Sequence, residues 1–208
     1  MKDIKLVLGV VLGSGLLVLL MIWGLSKLST DQGVITSSGE DLVSGAGIAT
    51  TSGQSKVEIV VFSDMQCPAC KVADEYLKTL RDKDGVTYVM RHFPLNIHKN
   101  AMAGARAVEA ARLQGKAWEM IDTLFAKQSD WESENKPEIK FVEYAKGLGL
   151  ETNRLVNDMN LESVSATISA DLAIASRLRL PGTPSIFVNG EMVSTQFVAS
   201  KVEELLKK

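Results

Sequence analysis

The hydrophobic and polar positions divide the chain into three parts. Residues 6–26 form an uncharged, mostly apolar run, and residues 29–55 are rich in Ser, Thr and Gly with scattered apolar side chains. From residue 56 onward, apolar positions recur with the periods of strands and helices. This pattern predicts a membrane anchor over residues 1–28, a flexible linker over 29–55 and one folded domain over 56–208.

The N-terminal run has the length of a membrane span. Its 21 residues between Lys5 and Lys27 would form a helix about 30 Å long, the thickness of a bilayer core. Lys2 and Lys5 precede the run and acidic residues follow Lys27, which favours a cytoplasmic N-terminus. The alternative is a cleaved signal peptide, but the run exceeds a usual signal-peptide core and no clean small-x-small site follows. We therefore expect a single-pass protein of the cell membrane with an extracytoplasmic domain.

A β-α-β unit opens the folded domain. The run from Val57 to Phe62 is rich in β-branched residues and almost continuously apolar, as in a central strand covered on both faces. Apolar residues at helical spacing follow residue 70, and the segment from Val86 to Met90 predicts a second strand.

The rest of the domain is predicted to be helical before it returns to strands. Apolar residues recur at helical spacing through about residues 97–179, with glycines between segments. Two short apolar runs then flank Asn189 and Gly190, a strong hairpin signal, and residues 196–207 form an amphipathic helix. The predicted fold is α/β, with a helical insertion in a β-α-β…β-β-α frame.

Charge and cysteine content restrict the possible chemistry. The 208 residues carry a net charge of -2 without a long basic run, which disfavours a nucleic-acid partner. The chain has two cysteines, Cys67 and Cys70, so the disulfide framework of small secreted domains is excluded.

The two cysteines lie where the first strand passes into its helix. Pro68 suits a first helical turn, which places Cys67 at the helix start. Free backbone N–H groups and the helix dipole stabilise a thiolate there. Cys70 follows one turn later, close enough for a disulfide. We predict that Cys67 is the exposed attacking thiol and Cys70 the buried resolving thiol.

A zinc site is the main alternative for a Cys-x-x-Cys pair. Zinc needs four ligands, but the chain has no second pair, and His92 and His98 lack the usual paired spacing. We therefore expect redox chemistry without a metal or other cofactor, and structural roles for both histidines.

Four segments together resemble the DsbA-like thioredoxin family, particularly its membrane-anchored, BdbD-like branch. They are FSDMQCPAC at 62–70, RHFPL at 91–95, GKAWEM at 115–120 and GTPSIFVNG at 182–190. The resemblance runs from about residue 56 to the C-terminus and implies a thioredoxin fold with a helical insertion. It also implies that Thr183 and Pro184 form a cis-proline loop facing Cys67, where the Thr183 backbone pairs with an extended substrate. Taken alone, this segment predicts only a tight turn.

Two positions depart from the pattern of the family. Strongly oxidising members carry His at the position of Ala69, and the loss of that donor leaves the Cys67 thiolate less stabilised. Many relatives carry an acid at the position of Val61 that assists proton transfer at the buried cysteine. Glu58 and Asp64 are the candidate substitutes for this proton relay.

The resemblance implies an enzyme that introduces disulfides into exported polypeptides while they are unfolded or partly folded. Its expected redox partner is a membrane protein of DsbB or VKOR type. A reductase or isomerase on the same scaffold is the first alternative. A redox-inactive, peptide-binding chaperone is less favoured, because a pure binder needs no second cysteine.

Overall fold

A computed structural model describes residues 42, 43, 45, 47–51 and 55–208 of the chain. The predicted membrane anchor and most of the predicted linker lie outside these residues. Within the described part, no helix combines the length and the apolar character needed to cross a bilayer.

A five-stranded mixed sheet forms the centre of the domain. Its strands are β1 (Ile48–Thr51), β2 (Val57–Ser63), β3 (Val86–His92), β4 (Ser185–Val188) and β5 (Glu191–Met192). Their order across the sheet is β1-β3-β2-β4-β5. The pair β2–β3 is parallel, whereas the other three pairs are antiparallel. The parallel pair follows from the helical crossover between its strands, as the β-α-β pattern predicted.

The helices fall into a frame and an insertion. They are α1 (Pro68–Leu77), α2 (Ala101–Arg112), α3 (Ala117–Ala126), α4 (Gln128–Trp131), α5 (Glu138–Gly147), α6 (Thr152–Asp158), α7 (Glu162–Arg177) and α8 (Thr195–Leu206). Helices α2 to α7 all lie between β3 and β4 in sequence, which confirms the predicted helical insertion. The α/β fold of thioredoxin type is thus observed in the described residues.

The sheet separates two apolar layers. Ile59 and Val61 of β2 pack with Ala73 of α1 and Val198 of α8 on one face. Residues of β2 with the opposite side-chain direction, such as Phe62, pack on the other face with α7. The nearly continuous apolar sequence of β2 follows from this arrangement, because the strand is covered on both faces.

The sheet begins earlier in the chain than the pattern predicted. Strand β1 falls within the predicted linker, residues 29–55, yet it pairs with β3 with Ile48 opposite Met90. The small residues that suggested a linker are needed here. A Cβ atom at Gly47 would lie 2.5 Å from Cγ1 of Val89, so the chain can approach β3 only without a side chain at that position. The composition of an edge strand was therefore mistaken for that of a flexible tether.

Buried ionic contacts join β3 to the insertion. Arg91 donates from Nη1 to Oδ1 of Asp171 at 2.6 Å, and the backbone N–H of His92 donates to Oδ2 at 2.8 Å. The ring of His92 contacts Glu109 of α2, with 2.9 Å between Nε2 and Oε1. His92 therefore has the structural role that the sequence suggested.

Candidate active site

A tight turn connects β2 to α1 and presents the two cysteines. The carboxylate of Asp64 accepts the N–H of Gln66 at 2.7 Å, and the backbone carbonyl of Asp64 accepts the N–H of Cys67 at 3.1 Å. Pro68 then occupies the first helical position, where its missing N–H group has no cost. This local sequence fixes Cys67 as the residue that caps α1.

The cysteines form a reduced pair at the start of α1. Neither is bonded to another cysteine, and 6% of Cys67 and 1% of Cys70 is exposed to solvent. The carbonyl of Cys67 accepts the N–H groups of Cys70 and Lys71 at 3.1 and 3.2 Å. The pair thus occupies one helical turn. Both cysteines are buried, so the expectation that Cys67 is exposed is wrong, because the loop that carries Thr183 lies against its sulfur.

The first turn of α1 favours the thiolate of Cys67. A hydrogen bond from the Cys70 thiol is the largest cause that lowers the pKa of Cys67, to about 5, although burial opposes the shift. The backbone N–H groups of Cys70 and Ala69 lower it further. At neutral pH the sulfur of Cys67 is therefore a thiolate.

Cys70 has the opposite electrostatic environment. Burial is the main cause that raises the pKa of Cys70, and its neighbour Cys67 raises it further. The backbone of Asp64 and the side chain of Ser63 form the opposing hydrogen bonds. Cys70 is therefore a protonated thiol that lies beneath the nucleophile.

The loop before β4 lies against the cysteine pair. The peptide bond between Thr183 and Pro184 is cis, and Sγ of Cys67 lies 3.5 Å from the carbonyl oxygen of Thr183. The structure therefore brings Cys67, Thr183 and Pro184 together, as the family resemblance implied.

A family model matches most of the chain. Residues 44–208 match the family model described as thioredoxin. The chain belongs to the thioredoxin family. The match begins before β1, so the thioredoxin domain includes the strand that lies in the predicted linker.

Solved structures similar to this thioredoxin domain include a thioredoxin-like oxidoreductase and BdbD. The thioredoxin-like oxidoreductase from Silicibacter pomeroyi DSS-3 is 28% identical, with a TM-score of 0.67 and coverage of 79% of this chain and 95% of that one. BdbD from Bacillus subtilis, in its oxidised form, is 23% identical, with a TM-score of 0.67 and coverage of 81% and 100%. The resemblance to DsbA- and BdbD-like thiol–disulfide oxidoreductases is confirmed. Membrane anchoring stays a prediction.

Curated relatives of the thioredoxin domain are much longer proteins. The Na(+)/H(+) antiporter NhaA 1 of Mycolicibacterium vanbaalenii is 36% identical over 137 residues, which are 64% of this chain and 21% of that protein. The chain thus spans about a fifth of the length of the curated relatives it matches. The similarity concerns one part of those proteins, and we infer no ion transport from their names.

The two candidates for a proton relay lie in different places. Glu58 is exposed near the start of β2, and its N–H donates to Asn189 at 2.7 Å. Because the strand rises about 3.3 Å per residue, Glu58 is far from the cysteines at the strand's other end. Its assignment to the site was wrong. Asp64 is buried at the site, but its carboxylate binds the N–H of Leu95 at 2.9 Å and Nδ1 of His98 at 2.7 Å, so it holds the loop that leads to α2.

Sequence reasoning missed a polar contact between the insertion and the cysteine turn. The buried side chain of Gln128 in α4 donates from Nε2 to the carbonyl oxygens of Met65 at 2.9 Å and Cys67 at 3.2 Å. A single glutamine in a helical segment carries no signal of such a contact.

In the described residues, no group of three or more His, Cys, Asp or Glu side chains is arranged to hold a metal.

An apolar groove runs beside the cysteine pair between α1 and α8. Its volume is about 660 Å³, and its lining includes Ala69, Val72, Tyr76, Pro184 and Ala199. The exposed fractions of Val72 and Tyr76 are 51% and 68%. We call this feature the α1–α8 groove. It provides apolar surface next to the reactive sulfur.

Alkylation should show the asymmetry of the pair. In a Cys70→Ser variant, the rate at which iodoacetamide modifies Cys67 is expected to rise with the thiolate fraction as pH increases and to level off about one pH unit above the pKa of Cys67. Without the Cys70 thiol, which is the largest cause of the lowered pKa, the midpoint should lie above 5 but below the free-cysteine value of about 8.5. A midpoint at or above the free value would contradict the assignment of Cys67 as nucleophile.

Proposed function

We propose that this protein introduces disulfide bonds into exported polypeptides by exchange at the Cys67–Cys70 pair. The observation that carries the proposal is the asymmetry of the pair. The pKa of Cys67 is lowered to about 5, whereas burial raises that of Cys70. A stabilised Cys67 thiolate stabilises the reduced pair, which makes the corresponding disulfide a stronger oxidant.

The reaction proceeds by two exchanges at sulfur. A substrate thiolate attacks Sγ of Cys67 in the oxidised pair, the Cys67–Cys70 bond breaks, and Cys70 leaves and takes up a proton. A second substrate thiolate then attacks the substrate sulfur of the mixed disulfide and expels Cys67 as a thiolate. The substrate gains one disulfide and loses two electrons, which the enzyme pair accepts. The low pKa of Cys67 favours the second step because it makes this sulfur a good leaving group.

The surroundings of Cys67 suit an unfolded substrate. The cis-proline loop offers the Thr183 backbone for pairing with an extended strand, a mode in which main-chain hydrogen bonds supply affinity without sequence specificity. The α1–α8 groove lies beside it and presents Val72 and Tyr76. Folded proteins bury their apolar side chains, so this groove favours partly folded polypeptides.

The predicted topology supplies the cellular setting of the proposal. An anchor over residues 6–26 with a cytoplasmic N-terminus would hold the domain outside the cytoplasm, where disulfides persist. Reoxidation of the pair then requires a membrane redox protein of DsbB or VKOR type. The anchor and its orientation are predicted from the sequence, and the redox partner is inferred from the family.

The alternative of a reductase or isomerase is supported by the alanine at position 69. This exposed residue offers no side-chain donor to the Cys67 thiolate, so the reduced pair is stabilised less than with histidine there. The Cys67 sulfur lies against the loop of Thr183 and Pro184. A redox-inactive chaperone would not need a reactive sulfur at its binding loop.

Oxidation of a reduced, unfolded protein tests the direction of exchange. The oxidised full-length protein is mixed with an excess of a substrate that has two thiols, and the substrate disulfide is quantified after acid quenching. We expect one substrate disulfide for each Cys67–Cys70 pair. Failure to oxidise this substrate, together with efficient reduction of insulin by the reduced protein, would identify a reductase instead.

Histidine at position 69 should make the protein more oxidising. A charge-assisted hydrogen bond to the thiolate contributes about 1.5–3 kcal/mol, which corresponds to a rise of roughly 30–60 mV in reduction potential. Equilibration of Ala69→His with glutathione buffers measures this shift. Ala69→Leu adds volume without a donor and is expected to leave the potential nearly unchanged. Equal potentials in the wild type and the histidine variant would show that another group stabilises the thiolate.

A further inference from the structure

A small cavity lies directly beneath the resolving cysteine. Its walls include Ser63, Cys70, Asp74, Tyr88 and Trp118, and its volume is about 10 Å³. This volume is close to the minimum that holds one water molecule. Ser63 and Cys70 both line this cavity, and the Ser63 hydroxyl lowers the pKa of Cys70, so a water here would have several polar partners.

The acid in this cavity comes from the helix rather than from the strand. Asp74 lies four residues after Cys70 on α1, so the two side chains share one helix face. The exposed fraction of its side chain is 13%. Val61 of β2 also lines the cavity but offers no proton acceptor, and Asp74 is the carboxylate among the lining residues.

Several charged groups surround Asp74. Arg81 binds Oδ1 of Asp74 and donates to Asp122 of α3 at 2.6 Å, while its guanidinium lies 4.7 Å from the centre of the Trp118 ring. Burial raises the pKa of Asp74; Arg81 and Lys78 oppose this shift, and Asp122 adds to it. Tyr88 of β3 faces the same groups. A carboxylate with a raised pKa is a better proton acceptor than an exposed aspartate.

We propose that Asp74 is the proton acceptor and donor of Cys70, through a water in this cavity and the Ser63 hydroxyl. The inference rests on the proposed function, because only a pair that undergoes exchange needs such a group. When the reduced enzyme attacks a disulfide, the proton of the Cys70 thiol passes to Asp74. The Cys70 thiolate then attacks Sγ of Cys67 in the mixed disulfide, the internal disulfide forms, and the other thiol leaves as a thiolate. Asp74 returns its proton to solvent.

In the oxidising direction the same transfer runs in reverse. Cys70 leaves as a thiolate when substrate attacks Cys67, and Asp74 supplies the proton that this buried sulfur needs. The burial that raises the pKa of Cys70 would otherwise make that leaving group unfavourable.

Ellman's reagent separates the two cysteines in one experiment on the reduced full-length protein. Cys67 attacks first and releases one thionitrobenzoate, and Cys70 then releases the second by internal attack. With Asp74→Asn, the second phase is expected to slow about 100-fold at neutral pH, the lower end of general-base effects. The first phase is expected to change by less than about two-fold, because Asp74 does not contact Cys67.

Matched variants exclude an effect of charge or folding. Glu75→Gln removes one charge from the exposed side of the same helix and should leave both phases unchanged. Asp74→Glu should restore part of the second phase. An equally slow second phase in Glu75→Gln, or an unaltered one in Asp74→Asn, would overturn the proposal while the exchange activity stands. A wild-type protein without a second phase would instead overturn the proposed function.

The pH profile provides a test that a purely structural ion pair would not pass. In the wild type, the second-phase rate should inflect in the acid range, above the ordinary aspartate value, as Asp74 loses its proton. In Asp74→Asn this inflection should be absent. Thermal unfolding shows whether the asparagine variant folds. If it does not, the Ser63→Ala variant and the wild-type pH profile provide the test. An unchanged second phase in Ser63→Ala, together with a wild-type profile without an acid inflection, would contradict the relay.

Discussion

Replacement of Asp171 by alanine is expected to destabilise the protein by about 3–5 kcal/mol, the effect of removing one partner from a buried ion pair. Asp171 is fully buried and Arg91 is 1% exposed. The carboxylate accepts from Arg91 at 2.6 Å and from the backbone N–H of His92 at 2.8 Å. Its loss leaves a buried guanidinium without this counter-charge and removes the acceptor of a strand N–H group.

Urea unfolding of the full-length protein measures this effect as a change in the free energy of unfolding. Asp158→Ala is the matched control, because Asp158 pairs with Arg154 at 3.2 Å on the surface, where half of the Arg154 side chain is exposed. That variant is expected to lose at most about 1 kcal/mol. A loss of less than about 1 kcal/mol in Asp171→Ala would mean that the buried pair does not hold α7 to the sheet.

Replacement of Cys67 by serine is expected to lower the rate of disulfide exchange by at least about a thousand-fold, as for other catalytic nucleophiles. The hydroxyl of serine is not ionised at neutral pH, and Cys70 cannot replace Cys67 because burial raises its pKa. Insulin reduction by the reduced protein measures the rate.

Cys70→Ser should give a different defect. Cys67 still attacks a disulfide in this variant, but no second thiol resolves the product, so a mixed disulfide accumulates and is visible on a non-reducing gel. A Cys67→Ser variant that forms such adducts more readily than Cys70→Ser would reverse the two assignments.

Much of the frame could be predicted because its signals are local. The apolar run of β2, the proline after Cys67 and the Asn189–Gly190 turn each specify their own backbone conformation. The structure shows β2, α1 and the β4–β5 hairpin at these positions. The cysteine pair was found for the same reason, since its chemistry depends on one helical turn.

The missed features depend on contacts between distant segments. Strand β1 contains Ala, Thr and one large apolar residue, and only its pairing with β3 distinguishes it from a tether. Asp171 and Arg91 are 80 positions apart, and no spacing rule connects them. Asp74 was also missed, although its distance of four residues from Cys70 is a local signal that both lie on one helix face.

Glu58 shows the converse error. It lies in the same strand as Val61, so the sequence made it a candidate for the proton relay. Side chains alternate between the two faces of a strand, so residues three positions apart point to opposite faces. They are also about 10 Å apart along the strand. Proximity in sequence therefore did not bring Glu58 to the cysteines.

The reduction potential of the full-length protein tests the central claim most directly. Equilibration with glutathione buffers, followed by separation of the oxidised and reduced forms, gives the value. A disulfide donor with a helix-stabilised Cys67 thiolate but alanine at position 69 is predicted to lie between about -120 mV, the value of DsbA, and about -270 mV, the value of thioredoxin. A potential below that of thioredoxin would contradict the proposal that the protein donates disulfides.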